Sequence, residues 1–284
     1  MHLFVDNLTN VDFSYLHPSR GLVGETWLAS VVLEGALDQQ GMVCDFGIVK
    51  KTLRQWLDQH IDHCLVVAAR SDQLTLSRSL TEVTVDWRYK HGQSIYCKSP
   101  ACAISLIDSE EVTPDTVARW CIGQLRALLP DTIDRIQLRF IPEVIEHHFY
   151  HYSHGLKKHS GNCQRIAHGH RSTIEIYLDS QRDHGLEQEW CQQWQDIYIG
   201  TREDLVQTMV KEGVNYAVFT YSAAQGEFTL QLPKCHCYLI DTDSTVEFIA
   251  RHIADILGKR FPKRHIQVKA FEGIGKGALA FKFP

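Results

Sequence analysis

The chain contains no run of about 18 apolar residues, so no membrane-spanning helix is expected. It has no excess of positive charge. Lys and Arg number 29 against 34 Asp and Glu, a formal net charge of −5, which argues against a generic nucleic-acid or membrane-surface partner. Its N-terminus, Met1-His-Leu-Phe-Val-Asp-Asn7, has no basic segment followed by an apolar core, so no signal peptide is expected. The nine cysteines are odd in number and irregularly spaced. With no export signal, they predict reduced thiols in a cytoplasmic protein rather than a disulfide framework. Cys235-His-Cys237 lies in an alternating, strand-like run with no second pair after it. Linker composition marks no boundary. What remains is 284 residues, 44% hydrophobic and 22% charged, an ordinary globular composition sufficient for one large or two ordinary domains.

The densest chemistry lies between Tyr152 and His170. His168-Gly-His170 leads into Arg171-Ser-Thr-Ile-Glu-Ile-Tyr-Leu178, which alternates like a half-buried strand. Residues two apart on a strand share a face, so His168 and His170 can present two imidazoles to one point. His154, at the end of another β-rich run, can supply a third. Three neutral imidazoles leave one position of a tetrahedral zinc open, the arrangement of a catalytic site. Cys163 sits in the loop between these ligands. The bland alternative is a set of surface or core histidines, because a chain with 16 histidines contains a chance His-x-His pair. His147, His148, His151 and His159 crowd the same stretch as bystanders or as groups that orient a ligand.

The chain also repeats itself, with a period of about 130 to 150 residues, the pattern of a duplication. Phe13-Ser-Tyr-Leu-His17 echoes Tyr150-His-Tyr-Ser-His154. Val23-Gly-Glu25 and the strand after it echo His168-Gly-His170. Asp45 through His63 echoes Tyr198 through Tyr216 without a gap, Val112–Ala118 echoes Ser244–Ala250, and Ile136–Phe140 echoes Ile266–Ala270. In the first half the periodicities predict strands over Trp27–Leu37, Thr81–Tyr89, Ser94–Cys102 and Ile136–Pro142. Helices are predicted over Ile48–His60, capped by Asp45, and Asp115–Leu129, started by Thr113-Pro114. In the second half they predict strands over Ser172–Leu178, Tyr216–Tyr221, Glu227–Leu232 and His265–Phe271, and helices over Arg202–Glu212 and Ser244–Leu257. Ser180–Gln193 reads as an insertion. The boundary falls near Pro142, dividing the chain into units 1–142 and 143–284.

The order aromatic-x-x-Ser-His-x-Leu (Tyr150 to Leu156), Gly-x-Cys (Gly161 to Cys163) and His168-Gly-His170 resembles the 6-pyruvoyltetrahydropterin and 6-carboxytetrahydropterin synthase family. That resemblance implies an α+β tunnelling fold, with an antiparallel sheet and two helices per unit. Here two tandem units share one chain, and the sheets of several units join into an oligomeric barrel whose closure removes exposed edges. It implies zinc on His154, His168 and His170, with Cys163 as the catalytic base, since a thiol near zinc and a charged imidazole ionises more readily. It also implies a proton-relaying Asp-His pair from a neighbouring unit, and a late Glu that anchors the pterin through two hydrogen bonds. No half has every part. The first half keeps Gly41-Met-Val-Cys-Asp-Phe46 and Asp62-His63 but has Val23-Gly-Glu25 for His-Gly-His, and Pro142 at the late Glu position. The second half keeps the three histidines, Cys163 and Glu272 but carries Asn215-Tyr216 and Tyr198-Ile199 where the other motifs would stand. The second unit is therefore expected to bind metal and pterin, and the degenerate first unit, without metal ligands, to lend Asp62 and His63. Taken singly, Asp62 reads as a turn residue after a helix and Glu272 as a strand end.

The family's substrate is 7,8-dihydroneopterin triphosphate, a small-molecule partner. One branch eliminates triphosphate and stops at 6-pyruvoyltetrahydropterin. The other also loses the side chain, leaving 6-carboxytetrahydropterin for queuosine-type biosynthesis. Cys-to-His spacing is three residues in the carboxy type and five in the pyruvoyl type; here it is four, Gln164 to Ala167. The carboxy product, the common bacterial role, is taken as the first expectation and the pyruvoyl product as its alternative. Cys163 argues against a third variant, an aldolase with Glu at that position. The expectation of another class is a non-catalytic pterin-binding or scaffold protein that kept the barrel.

Overall fold

The computed structural model of the chain describes residues 1–284, apart from the side chain of His91. The first half runs β1 His2–His17, β2 Gly21–Gly35, α1 Phe46–His60, β3 Leu65–Ala68, β4 Leu74–Arg78, β5 Glu82–Tyr89, β6 Gln93–Pro100, β7 Ile104–Ile107, α2 Pro114–Leu125 and β8 Ile133–Pro142. The second half runs β9 Phe149–His154, β10 His168–Leu178, β11 Gln181–Arg182, α3 His184–Gln193, β12 Ile197–Thr201, β13 Leu205–Lys211, β14 Val214–Ala223, β15 Gly226–Pro233, β16 Cys237–Ile240, α4 Val246–Arg260, β17 Ile266–Phe271 and β18 Gly277–Lys282. Apart from β11 and β18, the two lists have the same plan.

The sheets repeat that plan. The first has the order β7-β3-β1-β2-β8, the second β16-β12-β9-β10-β17-β18 with β11 beside β10. In each, two short strands, β3 and β7 or β12 and β16, join in parallel pairs at one side of the long antiparallel hairpin. A third sheet, β13-β14-β15-β6-β5-β4, takes three strands from each half and joins them at β6 and β15. The fold is thus α+β in two repeated units, with parallel pairs added to the expected antiparallel plan.

Each main sheet carries its helices on one face. α1 starts where Asp45 accepts the Ile48 N–H at 3.0 Å, and α2 where Thr113 and Thr116 form a reciprocal cap ahead of Pro114. α1 buries Val49, Leu53, Trp56 and Leu57, and α2 buries Val117, Ala118, Cys121 and Leu125, against β1, β2 and β8. Each fully buried Val or Leu contributes about 1.5–3 kcal/mol as an upper estimate. α3 and α4 repeat this on the second sheet through Trp190, Ile249, Ile253 and Leu257.

Four expectations fail here. Arg202–Glu212 is not a helix; it is a one-turn 3-10 segment followed by β13. Glu212 and Gly213 have φ of 51° and 79°, the paired positive values of a tight hairpin turn, so the run folds back onto β14. Ser180–Gln193 is not an insertion. It holds α3, capped by Asp183, which stands where α1 stands in the first half. The ungapped match of 45–63 to 198–216 is therefore wrong. Leu65 pairs with Ile104 as Tyr198 pairs with Cys237, so His63 corresponds to Asp196, and both have positive φ, 57° and 54°. The first motif also slips by two. Ser14 lies opposite Gly24, and Ser153 opposite Gly169, so Tyr15 rather than His17 occupies the place of His154. A slip of two leaves every side chain on its own face, which is why the pattern did not reveal it.

The two main sheets meet at these glycines. A Cβ on Gly24 would stand 1.9 Å from the Tyr152 carbonyl oxygen, and one on Gly169 would stand 2.7 Å from the Gly24 Cα. Ser14 Oγ and Ser153 Oγ share a buried hydrogen bond of 2.7 Å at the same point. Gly24→Ala has nowhere to place its methyl. It should lower stability by about 3 kcal/mol, the upper end of overpacking costs, read in urea as a lower midpoint with an unchanged slope.

Candidate active site

Side-chain alternation on β10 puts His168 and His170 on one face, and antiparallel pairing puts His154 directly opposite His168. All three are fully buried. Their Nδ1 atoms point away from one another. That of His154 donates to the Ser244 carbonyl at 2.9 Å, and that of His168 to the Arg165 carbonyl at 2.8 Å. That of His170 faces Asp12 Oδ1 at 3.3 Å, off the line of a straight hydrogen bond. This sets the tautomers and turns the Nε2 atoms inward. His154 and His170 stand Nε2 to Nε2 at 3.2 Å, and His168 Nε2 has no hydrogen-bond partner. The three rings offer ligand nitrogens within 4.8 Å of one another. Burial, reinforced by the neighbouring imidazoles, pushes the pKa of His154 and His168 well below the usual range, so both rings are neutral. Converging, neutral, unsatisfied nitrogens are what a cation requires, and the residues fit a metal ion.

A second cluster overlaps the first. His63, Cys163 and His168 offer donor atoms within 4.8 Å of one another. Asp62 Oδ2 lies 2.5 Å from His63 Nδ1. Burial works against a charged His63, but the hydrogen bonds with Asp62 and Cys163 outweigh it and raise its pKa to about 10. The Cys163 loop is held by the third sheet. The Cys163 carbonyl accepts the Leu156 N–H at 2.8 Å, Tyr221 donates to the Gln164 carbonyl, and Gln225 bonds both Gln164 and Asn162. Glu272, just past β17, brings Oε1 to 3.7 Å from His170 Nε2. The fold therefore gathers His154, His168, His170, Cys163 and Glu272 from the second half with Asp62 and His63 from the first, within a single chain. Cys235 and Cys237 join no ligand cluster among the described residues.

Asp12 escaped the sequence reading. It is 2% exposed on an apolar strand, and that isolated carboxylate among Leu8, Val11 and Phe13 was the available signal. Its carboxylate faces His170, accepts Thr26 Oγ1 at 2.5 Å and pairs with Lys276 at 3.1 Å. Burial opposes its charge, but His170, Lys276 and Thr26 hold the carboxyl well below the usual carboxylate range. Its backbone N–H donates to Asp62 Oδ1 at 2.8 Å, and its carbonyl accepts the His63 N–H at 2.6 Å. One residue of the first half thus braces His170 of the second and both members of the Asp-His pair.

The equivalent place in the first half has lost this chemistry. Tyr15, Val23 and Glu25 stand for the three histidines. Asp196 stands for His63, in a two-pronged ion pair with Arg20 at 2.8 and 2.5 Å. A cavity of about 290 Å³ remains beside Tyr15, Glu25 and Trp27. Burial raises the Glu25 carboxyl from its ordinary 4.5 to about 7.

Two outcomes follow from these contacts. Asp12→Asn keeps the shape but removes the charge facing His170, and should weaken metal binding about 10- to 100-fold in competition with a chromophoric chelator. Glu25 holds its proton in the folded state at pH values where the unfolded chain has lost it. Its contribution is therefore fully present below pH 4.5 and is lost as pH rises through about 7. Glu25→Gln should accordingly melt above wild type at about pH 8 and lose that advantage toward acid, as scanning calorimetry across pH would record.

The family model described as 6-pyruvoyl tetrahydropterin synthase matches the chain twice, over residues 8–141 and 143–279. No curated protein sequence matches it. Among solved structures, a catalytic-residue mutant of Plasmodium vivax 6-pyruvoyltetrahydropterin synthase is similar at 17% identity, over 50% of this chain and 91% of that one, with a TM-score of 0.42. The Plasmodium falciparum 6-pyruvoyl tetrahydropterin synthase is similar at 16% identity, over 51% of this chain and 98% of that one, with a TM-score of 0.39.

Proposed function

The chain belongs to the 6-pyruvoyl tetrahydropterin synthase family, and we propose that it is a zinc-dependent lyase that converts 7,8-dihydroneopterin triphosphate to 6-carboxytetrahydropterin in the cytoplasm. The observation that carries the reading is the convergence of three buried, inward Nε2 atoms with the half-buried Cys163 and His63 pair in one place. Held by His154, His168 and His170, zinc would supply Lewis-acid polarisation of the substrate's side-chain hydroxyls. Cys163 Sγ takes a proton from the side-chain carbon. His63, held charged beside Asp62, is in contact to stabilise the thiolate and to donate a proton in return, and Asp62 fixes its ring. Glu272 accepts two hydrogen bonds from the amino-pyrimidinone edge, which orients the heterocycle against the metal. Unit 143–284 holds metal and pterin, and unit 1–142 lends the relay.

The four-residue spacing between Cys163 and His168 keeps the pyruvoyl product as a second reading; release of acetaldehyde separates the two. Edge strands with exposed side chains, Ile141 on β8 and Leu279 and Phe281 on β18, favour pairing with further copies. The active preparation should accordingly sediment as a multimer of the 32.5 kDa chain.

Cys163→Ala should lower kcat by about 10²- to 10⁴-fold, the usual range for a lost acid–base group, with zinc content unchanged by atomic absorption. His170→Ala should lose both zinc and turnover. Turnover that survives Cys163→Ala, or triphosphate bound but never released, would leave the chain a pterin-binding relative without catalysis.

A further inference from the structure

Between β9 and β10 the chain passes through residues 155–167 without a strand partner, and its one regular piece is the single turn Asn162–Gln164 that carries Cys163. A thiol on such a turn has no strand ladder to fix it, so its place is set by the side chains that grip its neighbours. One residue grips three of them. Gln225, in the turn between β14 and β15, donates its backbone N–H to Gln164 Oε1 at 2.6 Å and its Nε2–H to Asn162 Oδ1 at 2.9 Å, and its Oε1 accepts from Arg165 Nε at 3.1 Å. These are the positions one before, one after and two after Cys163.

The grip has a single orientation. Arg165 is 4% exposed, and among the described residues no carboxylate lies within 4.0 Å of it. Its Nη1 reaches the Asp62 carbonyl at 3.4 Å and Cys64 Sγ at 2.9 Å. A buried guanidinium left with neutral acceptors holds each of them firmly, because a hydrogen bond from a charged donor is the stronger kind. Arg165 therefore turns the Gln225 Oε1 towards itself and leaves Nε2 for Asn162. Asn162 is fixed in its turn, since its Nδ2 donates to the Asp58 carbonyl on α1 at 3.0 Å. The bonds that hold the loop to the third sheet thus also tie it to the segment of the first half that ends in Asp62 and His63. Cys163 and His63, whose donor atoms lie within 4.8 Å, stand on two pieces of chain that meet through this brace.

We infer that Gln225 is a positioning residue for Cys163, its two-ended amide between Asn162 and Arg165 holding the thiol against His63. Its part in catalysis rests on the proposed role of Cys163 as the base. The third sheet, built from both halves, thereby takes a share in the reaction through one turn.

The test takes the full-length zinc-loaded protein and two readouts: turnover, and the rate at which iodoacetamide alkylates Cys163, followed on its own peptide by mass spectrometry. Gln225→Ala removes both side-chain bonds. It should lower kcat on the order of 10- to 100-fold, the scale of loss when a reacting group is misplaced by about 1 Å, with KM and zinc content unchanged. Cys163 alkylation should slow severalfold, because a thiol away from a cationic imidazole ionises less readily. Gln225→Glu keeps an acceptor for Arg165 and should recover part of the kcat. Glu227→Ala, exposed on the same hairpin, should change neither readout. If Gln225→Ala does not fold, Asn162→Ala removes the loop's end of the same bridge and should act alike. Slowed alkylation in a protein whose wild type shows no turnover would sink the proposed reaction and leave the positioning role standing. Alkylation at the wild-type rate or faster in the variant that folds would overturn the positioning role and leave the reaction standing.

Discussion

The contact of β2 with β10 at Gly24 and Gly169 is the constraint on which the rest depends. Two hairpins approach until backbone meets backbone, closer than any side chain allows. That approach lets Asp12, on β1, reach His170 on β10. It also brings the residues just after α1 against the Cys163 loop. Had either glycine a methyl, the two sheets would stand apart, and the Asp-His pair would face solvent instead of a sulfur.

The duplication then becomes asymmetric in its electrostatics while staying symmetric in its topology. One inter-sheet site collects neutral imidazoles, a thiol and a charged relay. The other collects an arginine-aspartate pair and a carboxyl that burial pushes toward its neutral form. The first-half place is braced by its own salt bridge, while the opposite place keeps buried nitrogens that only a ligand or a proton can satisfy. The first half still shapes the candidate site through Asp12, which faces the His170 ring with its side chain and holds Asp62 and His63 by its backbone.

Much of this was legible from the residues. His168 and His170 share a face because strands have a period of two, and Asp45, Thr113 and Thr245 cap the helices where cap chemistry puts them. The family is written in the His-Gly-His and Gly-x-Cys motifs. Other parts were not legible. Leu205 to Lys211 has helix-compatible spacing, and only the Glu212-Gly213 turn and its partner strand decide against a helix. Asp183 could cap a helix, but its run was hidden by a false alignment. The two-residue slip of the first motif is invisible to any argument from alternation.

The sequence by itself determined the parts, because motif spacing, caps and strand periods are local properties of neighbouring residues. Tertiary structure alone decided the partnerships: which half faces which, that one chain suffices to bring His63 to Cys163, and that Arg165 is buried without a counter-charge. Those depend on how closely two surfaces distant in the chain can pack, and no local pattern encodes that distance.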